Sequence, residues 1–140
     1  MKSSELELRE ARRRSRELVR KALLEESDAP LAVAIRELFN AVPRRSWVER
    51  AVLRFLLRTV ERRGRTVYVV RGLPELGDWK DVYVVQRVGE RLYYCSCYSS
   101  TYGYVRRARI CTHIAAVILY RRWRMARREA GSGAGEQQQA

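Results

Sequence analysis

A chain of 140 residues carrying a formal net charge of +13 fits one domain, or one domain with a helical extension, and can bury a modest core. Its longest apolar stretch, Ile114–Tyr120, is far too short to span a bilayer. The N-terminus alternates charge with leucine and lacks an apolar signal core, so the expectation is a soluble, intracellular (cytoplasmic) protein without a membrane partner.

The cations are 26 Arg and only 3 Lys. Such a balance favours acidic partners, nucleic acid first. Arginine grips phosphate in a bidentate way and stacks on bases, which lysine does not. Genomic or thermophilic bias explains Arg over Lys equally well, but explains the net charge less easily.

Glu5 to Glu25 reads as one helix, with Leu8, Ala11, Ser15, Leu18 and Ala22 at three- and four-residue steps. Arg12, Arg13, Arg14, Arg16 and Arg20 occupy its other faces. The apolar stripe is thin, so this helix packs loosely or docks on a partner or a second copy. Ser27-Asp28-Ala29-Pro30 is a stop followed by a start, because proline suits a first helical turn. Leu31, Ala34, Ile35, Leu38 and Phe39 then give a buried face, and the Asn40–Arg45 segment breaks it at Pro43. Ser46 and Glu49 have the spacing of a capping box. The third helix is expected to run to about Arg62, burying Val48, Val52, Phe55, Leu56, Thr59 and Val60, with Arg50, Arg54, Arg58 and Arg62 as a stripe at four-residue steps opposite, either a third candidate contact surface or, more commonly, a solvated basic face.

Gly64 is expected to end that helix, where the period turns strand-like. Thr66–Arg71 is β-branched and aromatic, and Gly72 to Asp78 is a loop. Val82–Val85 and Leu92–Tyr94 form a hairpin turning at Gly89-Glu90. Asp78 and Asp81, near the strand start, read as solvated loop acids. A last helix begins near Cys111, and the final residues lack an apolar pattern and are expected to be disordered. The chain divides into a helical region, 1–63, a sheet-and-helix domain, 64–129, and a tail, 130–140. The fold class is α+β: N-terminal helices plus a small antiparallel sheet and a C-terminal helix.

All three cysteines and the sole histidine fall into one pattern, C-x-C-x13-C-x-H, made by Cys95, Cys97, Cys111 and His113. Three thiolates and an imidazole complete a tetrahedral set for Zn²⁺. Sulfurs on tetrahedral zinc lie roughly 3.8 Å apart, closer than alternate side chains on a flat strand, so the chain must curl at Ser96. Cys111 and His113 fit only at a helix start, since residues two apart inside a helix point nearly opposite ways. A thiolate there also gains from the helix dipole. A disulfide plus one free cysteine is the competing reading; a C-x-C disulfide closes a very small, strained loop. Four protein ligands leave no open position, so the metal would be structural.

At these residues the chain resembles the SWIM zinc finger, in its small stand-alone prokaryotic or archaeal form. C-x-C…C-x-H follows a strand hairpin and precedes a helix, with Val67–Val70 as an upstream strand of the ββα-like layout. The resemblance covers about Thr66 to Met125. Cys111-Thr112-His113-Ile114-Ala115-Ala116 also resembles the longer C-x-H-x-x-A form of Shu-type recombination-accessory proteins. SWIM resemblance implies DNA-binding or protein-binding roles. The Shu-type likeness implies partnership with a RecA/Rad51-like recombinase paralogue in DNA recombination or repair.

Between the ligand pairs lie Tyr98, Tyr102 and Tyr104, then Arg106, Arg107 and Arg109. Aromatic faces stack on unpaired bases while arginines hold phosphates; equally, these tyrosines can cover the metal. Arg121, Arg122, Arg124, Arg127 and Arg128 crowd the last helix, beyond what its dipole needs. The leading expectation is a non-catalytic, zinc-binding module for nucleic acid, DNA in preference to RNA, single-stranded or contacted through the backbone. The rival is a protein-interaction adaptor docking through the apolar side of the first helix and Trp123. Enzymatic function finds little support, since zinc claims every Cys and the His and no Gly-rich phosphate loop is present.

Overall fold

The computed structural model describes residues 2–90, 92–99 and 111–139, with the side chains of 5–90, 92–97 and 111–131. The fold is α+β. Three helices come first: α1 (Lys2–Leu24), α2 (Pro30–Ala41) and α3 (Arg45–Leu56). Four strands follow: β1 (Val60–Arg62), β2 (Val67–Arg71), β3 (Val82–Arg87) and β4 (Tyr93–Cys95). Helix α4 (Thr112–Gln139) closes the chain.

The sheet is an antiparallel meander in the order β1-β2-β3-β4. Its register pairs Val60 with Val70, Val70 with Tyr83, and Val85 with Cys95. Alternation sends Tyr68, Val70, Tyr83, Val85, Tyr93 and Cys95 into the core. Val82, Val84 and Tyr94 stand on the open face.

Helix α4 is the centre of the molecule. Ile114 through Leu119 are all buried, the signature of a helix covered on every side. Helices α2 and α3 and the sheet supply the cover. One core cluster therefore joins Val19 and Ala22 of α1, Ile35 and Leu38 of α2, Val48 and Val52 of α3, the inner face of the sheet, and α4. Fully burying a Val, Leu or Ile contributes about 1.5–3 kcal/mol, so the first turns of α4 are firmly held.

Helix α1 packs against α2 and α3 along Ala11, Ser15, Val19 and Ala22. The thin stripe suffices because small residues let the helices approach closely. Arg36 ties the end of α1 down, donating to the carbonyls of Ala22, Glu25 and Ser27. Pro30 opens α2 as its fixed φ predicts.

Two elements depart from expectation. Helix α3 stops at Leu56, short of Arg62: Arg58 turns left-handed at φ 57°, and the Thr59 hydroxyl donates to the Arg54 carbonyl. The chain then reverses and enters the sheet as β1, so Gly64 lies in a hairpin instead of ending a helix. Second, the capping box does not form. Helix α3 begins at Arg45, no side chain caps it, and Glu49 pairs with Arg45 at 3.3 Å. The α4 backbone is helical to Gln139.

Candidate metal centre

Each half of the ligand set is placed by a local feature. Strand β4 delivers Cys95 to the buried face, opposite Val85. A 3-10 turn, Ser96–Ser99, then curls the chain. It brings the Cys97 amide to the Cys95 sulfur at 3.5 Å. Cys111 sits just before α4 and His113 in its first turn. The Ile114 amide reaches the Cys111 sulfur at 3.4 Å, so a free N–H of the helix start faces a thiolate.

One ligand atom from each of Cys95, Cys97, Cys111 and His113 lies within 4.8 Å of the other three. The imidazole Nδ1 is 3.7 Å from the sulfurs of both Cys95 and Cys111. Tetrahedral zinc holds N and S donors about 3.5–3.8 Å apart, so the four side chains can hold a metal ion with little movement. The sulfurs share protons unequally. Hydrogen bonding from Cys95 and Cys97 drives Cys111 far below the ordinary thiol range, against burial and with help from His113. The contacts with Cys111 and Cys97, with burial, drive Cys95 far above it. A bound dication replaces such protons and holds all three sulfurs as thiolates.

Behind the ligands lies a buried ionic network the sequence did not reveal. His113 Nε2 is 2.9 Å from Asp78 Oδ1 and donates to it, which leaves Nδ1 facing the sulfurs. Asp78 also takes a two-pronged contact from Arg54 of α3, at 2.6 and 3.1 Å, and the Leu73 amide at 2.8 Å. Arg54 Nη2 bonds Thr112 Oγ1 at 3.1 Å, tying α3 to the start of α4. The Arg54 side chain is 1 % exposed and that of Asp78 6 %. Burial works to raise the pKa of Asp78, but the bonds from Arg54 and Leu73 and the charges of Arg54 and His113 outweigh it and hold the carboxyl below its usual range.

Asp78 and Arg54, expected to be solvated, are buried instead. The stripe failed because α3 ends before Arg58, so Arg50 to Arg62 never share one helical face. Asp78 is carried inward by its loop. Gly72 passes so close to the segment leading into β3 that an added Cβ would lie 1.9 Å from the Lys80 carbonyl oxygen. Gly77 takes φ 88° to end the short turn Pro74–Leu76. Two loop glycines before an acid were the only sequence signal. Tyr83 completes the site. Its ring stacks on His113 with centroids 3.9 Å apart, and its hydroxyl accepts the amides of Trp79 and Lys80.

The residues expected to touch nucleic acid are only partly placed. Tyr102, Tyr104, Arg106, Arg107, Arg109 and the side chain of Tyr98 lie outside the described residues. On α4, Arg121 donates to the Tyr93 hydroxyl, Arg122 pairs with Glu37 at 3.7 Å, and Arg124 lies over the Tyr120 ring. Arg127 stacks over Trp123 at 4.6 Å. Trp79, 74 % exposed, and Tyr94, 42 % exposed, are surface aromatics that sequence reading did not single out. No described helix is long and apolar enough to cross a membrane.

Comparison with known proteins adds no constraint: no family model, curated protein or solved structure matches the chain.

Proposed function

We propose that this protein is a non-catalytic, zinc-closed module of SWIM type that binds nucleic acid, single-stranded or through its backbone, and DNA in preference to RNA. Zinc follows from the donor set, since three thiolates and one imidazole suit it and leave no open coordination position. A closed site serves structure, and the chemistry it supplies is the cross-linking of β4 to α4.

The observation that carries the nucleic-acid half is the +13 charge and its display. Arg12, Arg13, Arg14, Arg16 and Arg20 of α1 are exposed, as are Arg122, Arg127 and Arg128 of α4. Arg12, Arg16 and Arg50 line a groove of about 370 Å³ shared with Glu49 and Glu75. Trp79 and Tyr94 offer faces on which unpaired bases can stack, each worth about 1–3 kcal/mol. The adaptor reading, with a recombinase-like partner, has less to stand on. Ala11, Val19 and Ala22 of α1 are buried against α2 and α3, Leu8 and Leu18 are half-buried, and Trp123 packs edge-on against Phe55 at 5.0 Å.

The test is fluorescence anisotropy of zinc-loaded protein with single- and double-stranded oligonucleotides at two salt concentrations. Three or more phosphate contacts predict a loss of affinity of about tenfold or more between about 50 and 200 mM salt. Single strands should bind more tightly than duplex. Replacing Tyr102 and Arg107, or Trp79 and Tyr94, should weaken binding. A flat salt response, with every variant equal to the parent, would sink the proposal and return the adaptor to first place.

A further inference from the structure

We infer that Asp78, clamped by Arg54, is the positioning residue of the metal centre. It fixes His113 so that Nδ1, and not Nε2, is the ligating nitrogen, and it thereby sets metal affinity. The inference rests on the zinc reading above.

A histidine at a metal site has two nitrogens, and the one that binds is decided by what holds the other. Here Nε2 is engaged at 2.9 Å by a carboxylate that is itself immobile. Two guanidinium bonds, at 2.6 and 3.1 Å, and the Leu73 amide hold that carboxylate. The clamp comes from three separate parts of the chain: Arg54 of α3, the glycine-bounded loop before β3, and the first turn of α4. Tyr83 stacks flat on the imidazole, with 20° between the ring planes, so rotation about the ring's own axis is blocked as well. An ion pair buried this deeply is costly to desolvate and contributes little net stability compared with apolar residues of similar size. Its placement against a single ligand nitrogen gives it a use that packing alone does not. The N-terminal helices thus reach the metal centre through Arg54.

The experiment measures zinc affinity by competition with a chromophoric chelator, and the imidazole nitrogen shifts of zinc-loaded protein by ¹⁵N NMR. In the parent, the shifts should show Nδ1 metal-bound and Nε2 protonated. Zinc bound through Nε2 would overturn the inference outright. Asp78→Asn should weaken zinc binding about 10–100-fold. Because that variant leaves Arg54 without its partner, the Arg54→Met/Asp78→Asn pair, which removes both charges, is measured beside it and should show a loss of the same order. Both are repeated in a His113→Cys background, where no imidazole remains to be positioned and the loss should shrink to under about twofold. An equal loss in both backgrounds would mean a general structural role, and an undiminished affinity in the His113 background would mean none; either refutes the proposal. A parent that binds no zinc at all would instead refute the zinc reading, a distinct result.

Discussion

At the scale of single residues, the most consequential side chain is Arg54, the largest of the fully buried ones. Its Nε is buried without a hydrogen-bond partner among the described residues, so its place depends on the two bonds to Asp78 and the one to Thr112. Removing the cation alone strands a buried carboxylate. Arg54→Met is expected to destabilise the zinc-loaded protein by about 3–5 kcal/mol, while Arg54→Met with Asp78→Asn should lose clearly less. Urea unfolding of both variants checks this, and a single variant no worse than the double would mean that the pair is not coupled. The four ligands were legible in the sequence because their chemistry restricts them to a few residue types and a recognisable spacing. Arg54 and Asp78 were not, because nothing in an Arg at a helical position or an Asp in a loop distinguishes a buried partner from a solvated charge. Only the three-dimensional approach of α3 to the loop decides it.

At the scale of elements, hydrophobic period located α2, the core of α3, β2, the hairpin and the start of α4. It did not locate the end of α3. Thr59 and Val60 continue the helical pattern, yet Thr59 is buried in a turn and Val60 begins a strand. The left-handed turn falls on Arg58, a residue that does not announce it as glycine would. Gly72 is the opposite case, a glycine whose reason the structure supplies. Its amide donates to the Asp81 carbonyl at 2.7 Å, and the Lys80 carbonyl occupies the space a side chain would need. Gly72→Ala is expected to push the loop away from β3, costing about 1–3 kcal/mol and withdrawing Asp78 from His113. An unchanged urea midpoint together with unchanged zinc affinity would contradict that account of the loop.

At the scale of the whole molecule, the metal centre lies where every layer meets. Strand β4 brings Cys95, the 3-10 turn after it brings Cys97, the start of α4 brings Cys111 and His113, and α3 reaches them through Arg54 and Asp78. Because α4 is enclosed by α2, α3 and the sheet, the core alone holds Cys111 and His113 near their positions, and a bound metal would lock Cys95 and Cys97 to them. The basic outer surface of α1 and α4 is carried on that frame, where its summed charge raises the potential that an anion meets. The metal is the central claim, and the decisive measurement is native mass spectrometry of pure protein combined with thiol titration. The prediction is one zinc per chain, with all three cysteines protected from thiol reagents until the zinc is chelated, and with both the zinc and the protection lost in Cys97→Ser. A chain that carries no zinc, and whose cysteines react at once under native conditions, would contradict it.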